Sequence, residues 1–201
     1  MKLLSSLLSP YVRKVRIAAA MKGVADRIEM VPIDTNVSDN PEINRANPLA
    51  KVPALVVGEL AIYDSHVICE YLDSLAPAPV LFPKEGAARL KTLTLGALGD
   101  GILDAAILVR YETTVRPAEL QWKDWVAGQM RKVRGALDAL EAERLDGPFD
   151  IGRITIACAL GYLDFRYQSE AWRTKHRRLA VWADDVAQRK SIQLTVPKDP
   201  T

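Results

Sequence analysis

LLSSLLSPYVRKVRIAAAMKG, Leu3 to Gly23, is the stretch on which the fold turns. Leu3 to Ser6 has the length and apolarity of a short buried strand. Ser9 then stands at a helix N-cap and Pro10 at the first helical position. A Ser cap accepts from a free backbone N–H, and Pro at N1 gives up a donor that has no partner there anyway. Val12, Val15, Ala19 and Met21 lie roughly along one apolar face, flanked by Arg13, Lys14 and Arg16, and Gly23 suits the C′ stop. A strand therefore feeds a helix whose positive end carries a hydroxyl. Such an end favours an anion, and a thiolate is one such anion. The same residues also read as an ordinary helix cap, and this stretch alone does not separate the two.

Working outward, RIEMVPID supplies a second strand through Ile28, Met30, Val31 and Ile33, with Pro32 marking an edge or a strand end. Strand, helix, strand at this spacing is a βαβ unit, expected to be right-handed. Asp34 to Asn40 is polar and turn-rich, hence a loop, and PEINRAN makes a turn or two of helix before Asn47-Pro48. ALVV and LAIY, separated by Gly58-Glu59, form a hairpin. Pro53 opens its first strand, where a missing N–H is tolerated. A cis bond at Val52-Pro53 leaves the Val52 N–H and C=O free for an extended peptide; a trans bond, the commoner state, does not. Asp64-Ser65 caps a helix carrying Val67, Ile68, Tyr71, Leu72 and Leu75. An acid and a hydroxyl at a helix start need no ligand, but they also suit an ammonium and a carboxylate.

Leu75 to Gly86, with Pro77, Pro79 and Pro83, reads as a linker. Helical periodicity follows. Leu90 to Leu108 forms a long helix loosened by Gly96, Gly99 and Gly101, and a second long helix runs from Trp122 to Leu145. Ile154 to Phe165 is a buried central helix, and Val181 to Val186 belongs to a short one. The tail from Thr195 is irregular. The central helix lacks an obvious cap, with Asp150 and Thr155 as candidates.

Composition bounds the function. The 201 residues are 49% hydrophobic and 26% charged, with a formal net charge of +2. That charge is too small to argue for nucleic acid. No apolar run approaches the ~18 residues of a membrane span, and the N-terminus lacks the cleavage pattern of a secretion signal. A cytoplasmic protein is expected. Cys69 and Cys158 sit in apolar helical runs and His66 and His176 lie far apart, so neither a metal site nor a structural disulfide is expected.

Three motifs, in order and spacing, carry a resemblance: Ser9-Pro10-Tyr11-Val12-Arg13-Lys14-Val15-Arg16, then Asn47-Pro48-Leu49-Ala50-Lys51-Val52-Pro53, then Asp64-Ser65. Together they resemble the glutathione transferase superfamily, on the side of its serine-type classes (theta, zeta, tau and related bacterial enzymes). The resemblance implies a thioredoxin-like α/β N-terminal domain of βαβ-α-ββ-α order over 1–78, a linker over 79–86 and an all-α C-terminal helical domain over 87–201. It implies glutathione as co-substrate, with Ser9 as the catalytic residue donating to the sulfur. Pro10 and Lys51 lie at the same site. Val52 pairs with the peptide through its backbone, Pro53 is the cis-proline, and Asp64 and Ser65 hold the γ-glutamyl end. Ala50 replaces the usual Gly, so the backbone there is expected to avoid conformations only Gly tolerates. Ser5 and Ser6 offer competing hydroxyls.

A pocket for a small hydrophobic electrophile is expected from Tyr11, Ile107, Tyr111 and Trp172, each of which also reads as core packing. Asp100 and Asp104 suit either the site or a solvated helix face. The resemblance further implies a homodimer and a role in detoxification. A non-catalytic binding or regulatory protein on this fold is the alternative. A disulfide reductase is disfavoured, because no cysteine stands near Ser9.

Overall fold

A computed structural model of the chain describes residues 1–35, 37 and 39–197. The expected loop over 34–40 and the tail from Thr195 fall partly outside them. The chain divides into two compact units, Met1–Arg89 with Gln188–Thr201, and Leu90–Ala187.

The first unit is a four-stranded sheet, β1 (Lys2–Ser5), β2 (Glu29–Pro32), β3 (Ala54–Val57) and β4 (Leu60–Ile62), in the order β2-β1-β3-β4. β1 and β2 pair in parallel across α1 (Pro10–Met21), and β3 is antiparallel to both β1 and β4. Pro32 ends the edge strand β2, where its missing N–H costs nothing. Alternation along the strands sorts the core. Leu4 and Ala54 face Ile43 and Ala46 of α2 (Pro41–Ala46). Leu3 and Leu55, fully buried, face the other side, where α1 packs against α3 (Ser65–Ser74).

Two features of this unit depart from expectation. Arg13 and Lys14, read as flanking residues, are buried at 7% and 1% exposure. Ala50 adopts φ 53°, the left-handed conformation it was expected to avoid, because the tight turn from Asn47 to Ala50 (Ala50 N–H to Asn47 O, 2.9 Å) demands it. The linker is part of the fold. The Asp73 carboxylate accepts from the Leu81 and Phe82 N–H groups and from the Lys22 ammonium, which also donates to the Pro79 carbonyl (2.8 Å). The C-terminal segment, read from sequence as part of the helical domain, belongs to this unit. α9 (Lys190–Gln193) contacts α1, and Arg16 donates to the Leu194 carbonyl (3.1 Å).

The second unit is helical. α4 (Gly86–Thr114) runs unbroken through its glycines and continues to α5 (Lys123–Ala142), which ends before the predicted Leu145. α6 (Ile151–Arg166), α7 (Trp172–Lys175) and α8 (Arg177–Ala187) follow. The glycines let α4 and α6 approach closely. A Cβ at Gly152 would lie 2.4 Å from the Thr92 carbonyl oxygen, and one at Gly99 would lie 2.9 Å from Thr155 Cγ2. An 18-residue stretch of α4 is apolar enough to cross a membrane, contrary to the reading of the sequence; half of that stretch is buried within the protein.

Asp150 settles the capping question for α6. Its Oδ1 accepts from the Arg153 N–H (3.1 Å), and its Oδ2 accepts from Thr92 Oγ1 (2.6 Å) and Arg153 Nη1 (2.8 Å). Arg153 also donates to the Leu145 and Asp146 carbonyls. Thr155 is instead bonded back to the Ile151 carbonyl.

Candidate functional site at one end of the sheet

Strand directions bring the three motifs together. β1 runs out at Ser5 into the loop that ends at Ser9. The register Leu4↔Ala54 sets the start of β3 beside that end of β1, so Val52 and Pro53 lie there too. The register Leu55↔Ile62 brings the end of β4, and Asp64 after it, to the same edge. Both α1 and α3 therefore begin at one end of the sheet, and they pack on each other. Two helix N-termini at one place favour an anionic ligand.

Each polar group there has a defined state. Ser9, half-buried, caps α1 by accepting from the Val12 N–H at 3.3 Å, and its own N–H donates to the Ser6 carbonyl (3.0 Å). A hydroxyl has one hydrogen to give, and that of Ser9 has no acceptor among the described residues. Ser5 is buried and donates to the Val31 carbonyl (3.3 Å), so its hydroxyl is already engaged inside the sheet. Pro10 is buried at N1.

The Val52-Pro53 bond is cis. The Val52 side chain packs on the Leu4–Ile43 cluster, while its backbone stands outside the ladder, which begins at Ala54. Asn47, a helix stop and the first residue of the second motif, holds this loop. It is 2% exposed, its Nδ2 donates to the Lys51 carbonyl (2.8 Å) and its Oδ1 accepts from the Leu49 N–H (3.0 Å). Its position before Pro48 was the available signal, since Asn favours such local bonds. Lys51 is exposed, and its ammonium has no partner among the described residues.

Asp64 caps α3 through Oδ1, which accepts from the His66 N–H (3.0 Å), and it remains exposed. Ser65 is buried at 3% exposure, and its hydroxyl has no partner among the described residues. α1 itself carries Arg13, Lys14 and Arg16 with no acid in its sequence. Burial, and secondarily the charge of Arg13, push the Arg16 guanidinium pKa down.

Of the expected pocket residues, Ile107 and Tyr111 lie on α4, Trp172 on α7 and Tyr11 on α1. Trp172 is 3% exposed, its indole N–H bonded to Asp164 (2.8 Å), and it borders a cavity of about 180 Å³ with His176 and Asp138. Tyr111 lines a different cavity of about 740 Å³ with Leu120, Trp122 and Trp125. Ile107 is half-buried on α4 and Tyr11 half-buried on α1.

The N-terminus of α1 with Ser9, the Val52 backbone outside the ladder and the Asp64-Ser65 pair thus stand at one end of the sheet. Comparison with known proteins bears on what that end serves. A model of the glutathione S-transferase N-terminal domain matches residues 8–75, and one of the C-terminal domain matches residues 123–185. The chain belongs to the glutathione S-transferase family.

Its thioredoxin-like first unit and helical second unit are the two parts of the glutathione S-transferase fold. The uncharacterized GST-like protein YibF of Escherichia coli K12 is 35% identical over 98% of each chain. A glutathione transferase family member from Pseudomonas fluorescens Pf-5, solved with bound glutathione, is 43% identical over 98% of each chain, with a TM-score of 0.95. The Pseudomonas family member was also solved with bound S-(propanoic acid)-glutathione, at 42% identity and a TM-score of 0.90, covering 98% of this chain and 100% of that one.

Proposed function

We propose that this glutathione S-transferase family member is a serine-type glutathione transferase acting on a small electrophile. The observation that carries the reading is the Ser9 hydroxyl. It caps α1 with its oxygen and keeps its hydrogen for a ligand, at the sheet end that also holds the Val52 backbone and Asp64-Ser65. Bound glutathione in the Pseudomonas relative supports glutathione as the peptide, and the conjugate bound there supports a site that admits a group on the sulfur.

In this reading the Val52 N–H and C=O pair with the cysteinyl part of glutathione. The Ser65 hydroxyl meets the γ-glutamyl carboxylate, Asp64 meets its ammonium, and Lys51 faces the glycyl carboxylate. Ser9 donates to the sulfur. A charge-assisted hydrogen bond and the end of a helix dipole stabilise thiolate over thiol. The sulfur lone pair then forms a carbon–sulfur bond as the electrophile's leaving group departs with its electrons. Holding both reactants together supplies much of the remaining acceleration. The reading extends to a cytoplasmic homodimer with a role in detoxification.

Ser9→Ala tests it. The expected result is a loss of about 100-fold in kcat, the scale for removing one donor to a reacting anion, with the dissociation constant for glutathione changed only a few-fold. Equal losses in both would remove Ser9 from the chemistry.

A further inference from the structure

The proposed function leaves Arg13 of α1 unused. It follows Ser9 by four residues, and its backbone N–H donates to the Ser9 carbonyl (3.0 Å). Helical side chains lean toward the N-terminus, so Arg13 extends along the face that leads up to Ser9. It is only 7% exposed, yet its guanidinium makes no hydrogen bond to any described residue, and its Nε is buried without a partner. Removing an ionised group from water without a partner is expensive, and Arg cannot escape the cost by losing its proton. Arg16 nearby adds like charge and is itself committed to the Leu194 carbonyl. Such a guanidinium is a site awaiting an anion, and its fork matches a carboxylate.

We infer that Arg13 receives the carboxylate of the second substrate, so that the electrophiles taken are small carboxylic acids bearing a leaving group. This rests on the proposed glutathione site, because the sulfur at Ser9 fixes where the substrate's reacting carbon must lie. The carboxylate pairs with Arg13 while that carbon meets the sulfur. The carbon–sulfur bond forms from the thiolate lone pair, the leaving group departs as an anion, and the carboxylate is unchanged.

Calorimetric binding of three ligands provides the test: glutathione, S-(2-carboxyethyl)glutathione and S-propylglutathione, the last two nearly equal in length and differing in charge. The wild type is expected to prefer the carboxylated conjugate by about tenfold or more. Arg13→Met should abolish that preference and leave glutathione affinity within a few-fold of wild type, whereas Arg13→Lys should retain part of it. Arg13→Gln, closer in polarity, replaces Arg13→Met should the latter not fold, with the same expectation. No preference in the wild type, or a preference that survives removal of the charge, overturns the inference. Equal weakening of all three ligands also overturns it, since Arg13 would then serve the tripeptide. Failure of the wild type to bind glutathione would overturn the glutathione reading itself, and this inference with it.

Discussion

Asp64 in the first unit and Asp150 in the second do the same local work and live in opposite surroundings. Each caps a helix by accepting from a backbone N–H. Asp150 is 4% exposed, and both of its oxygens are used, by the Arg153 N–H, Thr92 and the Arg153 guanidinium. Asp64 is exposed, with only Oδ1 engaged in the backbone cap, and it is followed by a buried Ser65 whose hydroxyl has no partner among the described residues. A cap closed on all sides holds a core together. A cap with spare capacity at a sheet end, beside a second helix N-terminus, is available to a ligand. The residue type does not distinguish the two roles; the number of partners does.

The contrast is broken most severely at Asp150. Asp150→Ala removes a cap and leaves the Arg153 guanidinium buried with its charge uncompensated. We expect a loss of about 3 kcal/mol or more in urea unfolding. A loss below about 1 kcal/mol would mean that the network is not structural. Asp64→Ala should show the reverse pattern. Stability should fall by about 1 kcal/mol, the ordinary value of an N-cap, while calorimetry should record about tenfold weaker glutathione binding.

Ala50 sharpens the comparison from the backbone side. Its φ of 53° is strained for any residue with a Cβ. Ala50→Gly removes that strain at some cost in unfolded-chain entropy, so thermal unfolding should show a net gain of about 0.5 kcal/mol. A destabilised variant would contradict the left-handed turn.

The smallest effect is expected at Glu112, on α4. The Trp122 backbone N–H (2.8 Å to Oε1) chiefly holds its pKa below the usual carboxylate range. Burial opposes this, and Arg116 (2.8 Å to Oε2) adds to the lowering. A lowered folded pKa gives stability that is fully present above the unfolded value of about 4.3. It is lost as pH falls through the lower folded value. The stability difference between wild type and Glu112→Gln should therefore narrow on acidification below about pH 4.3, followed by denaturant unfolding at several pH values.

Most of the first unit was legible because local signals agree with one another. Ser9-Pro10 opens α1, Gly58-Glu59 turns the hairpin, Pro32 closes an edge strand and Asp64 starts α3. What escaped the sequence depends on contacts between distant residues. Arg13 and Lys14 read only as flanking an apolar face, because burial is decided by what packs over a helix, which spacing does not reveal. The glycines of α4 looked like weak points, whereas Gly99 meets Thr155 and Ile156 of α6 at a distance only Gly allows. Asp150 was a candidate cap, but its bond to Thr92, 58 residues away, has no local signature. Nor does local spacing mark which helical residues border a cavity, as Tyr111 and Trp172 do.

The central claim is that the Ser9 hydroxyl stabilises a glutathione thiolate at the head of α1. Its most direct test is a pH titration of the ultraviolet thiolate absorbance of bound glutathione, in the wild type and in Ser9→Ala. The wild type should ionise the thiol well below the ordinary value of about 8.5, and Ser9→Ala should move it back toward that value while glutathione stays bound. The same thiol pKa in both proteins would contradict it.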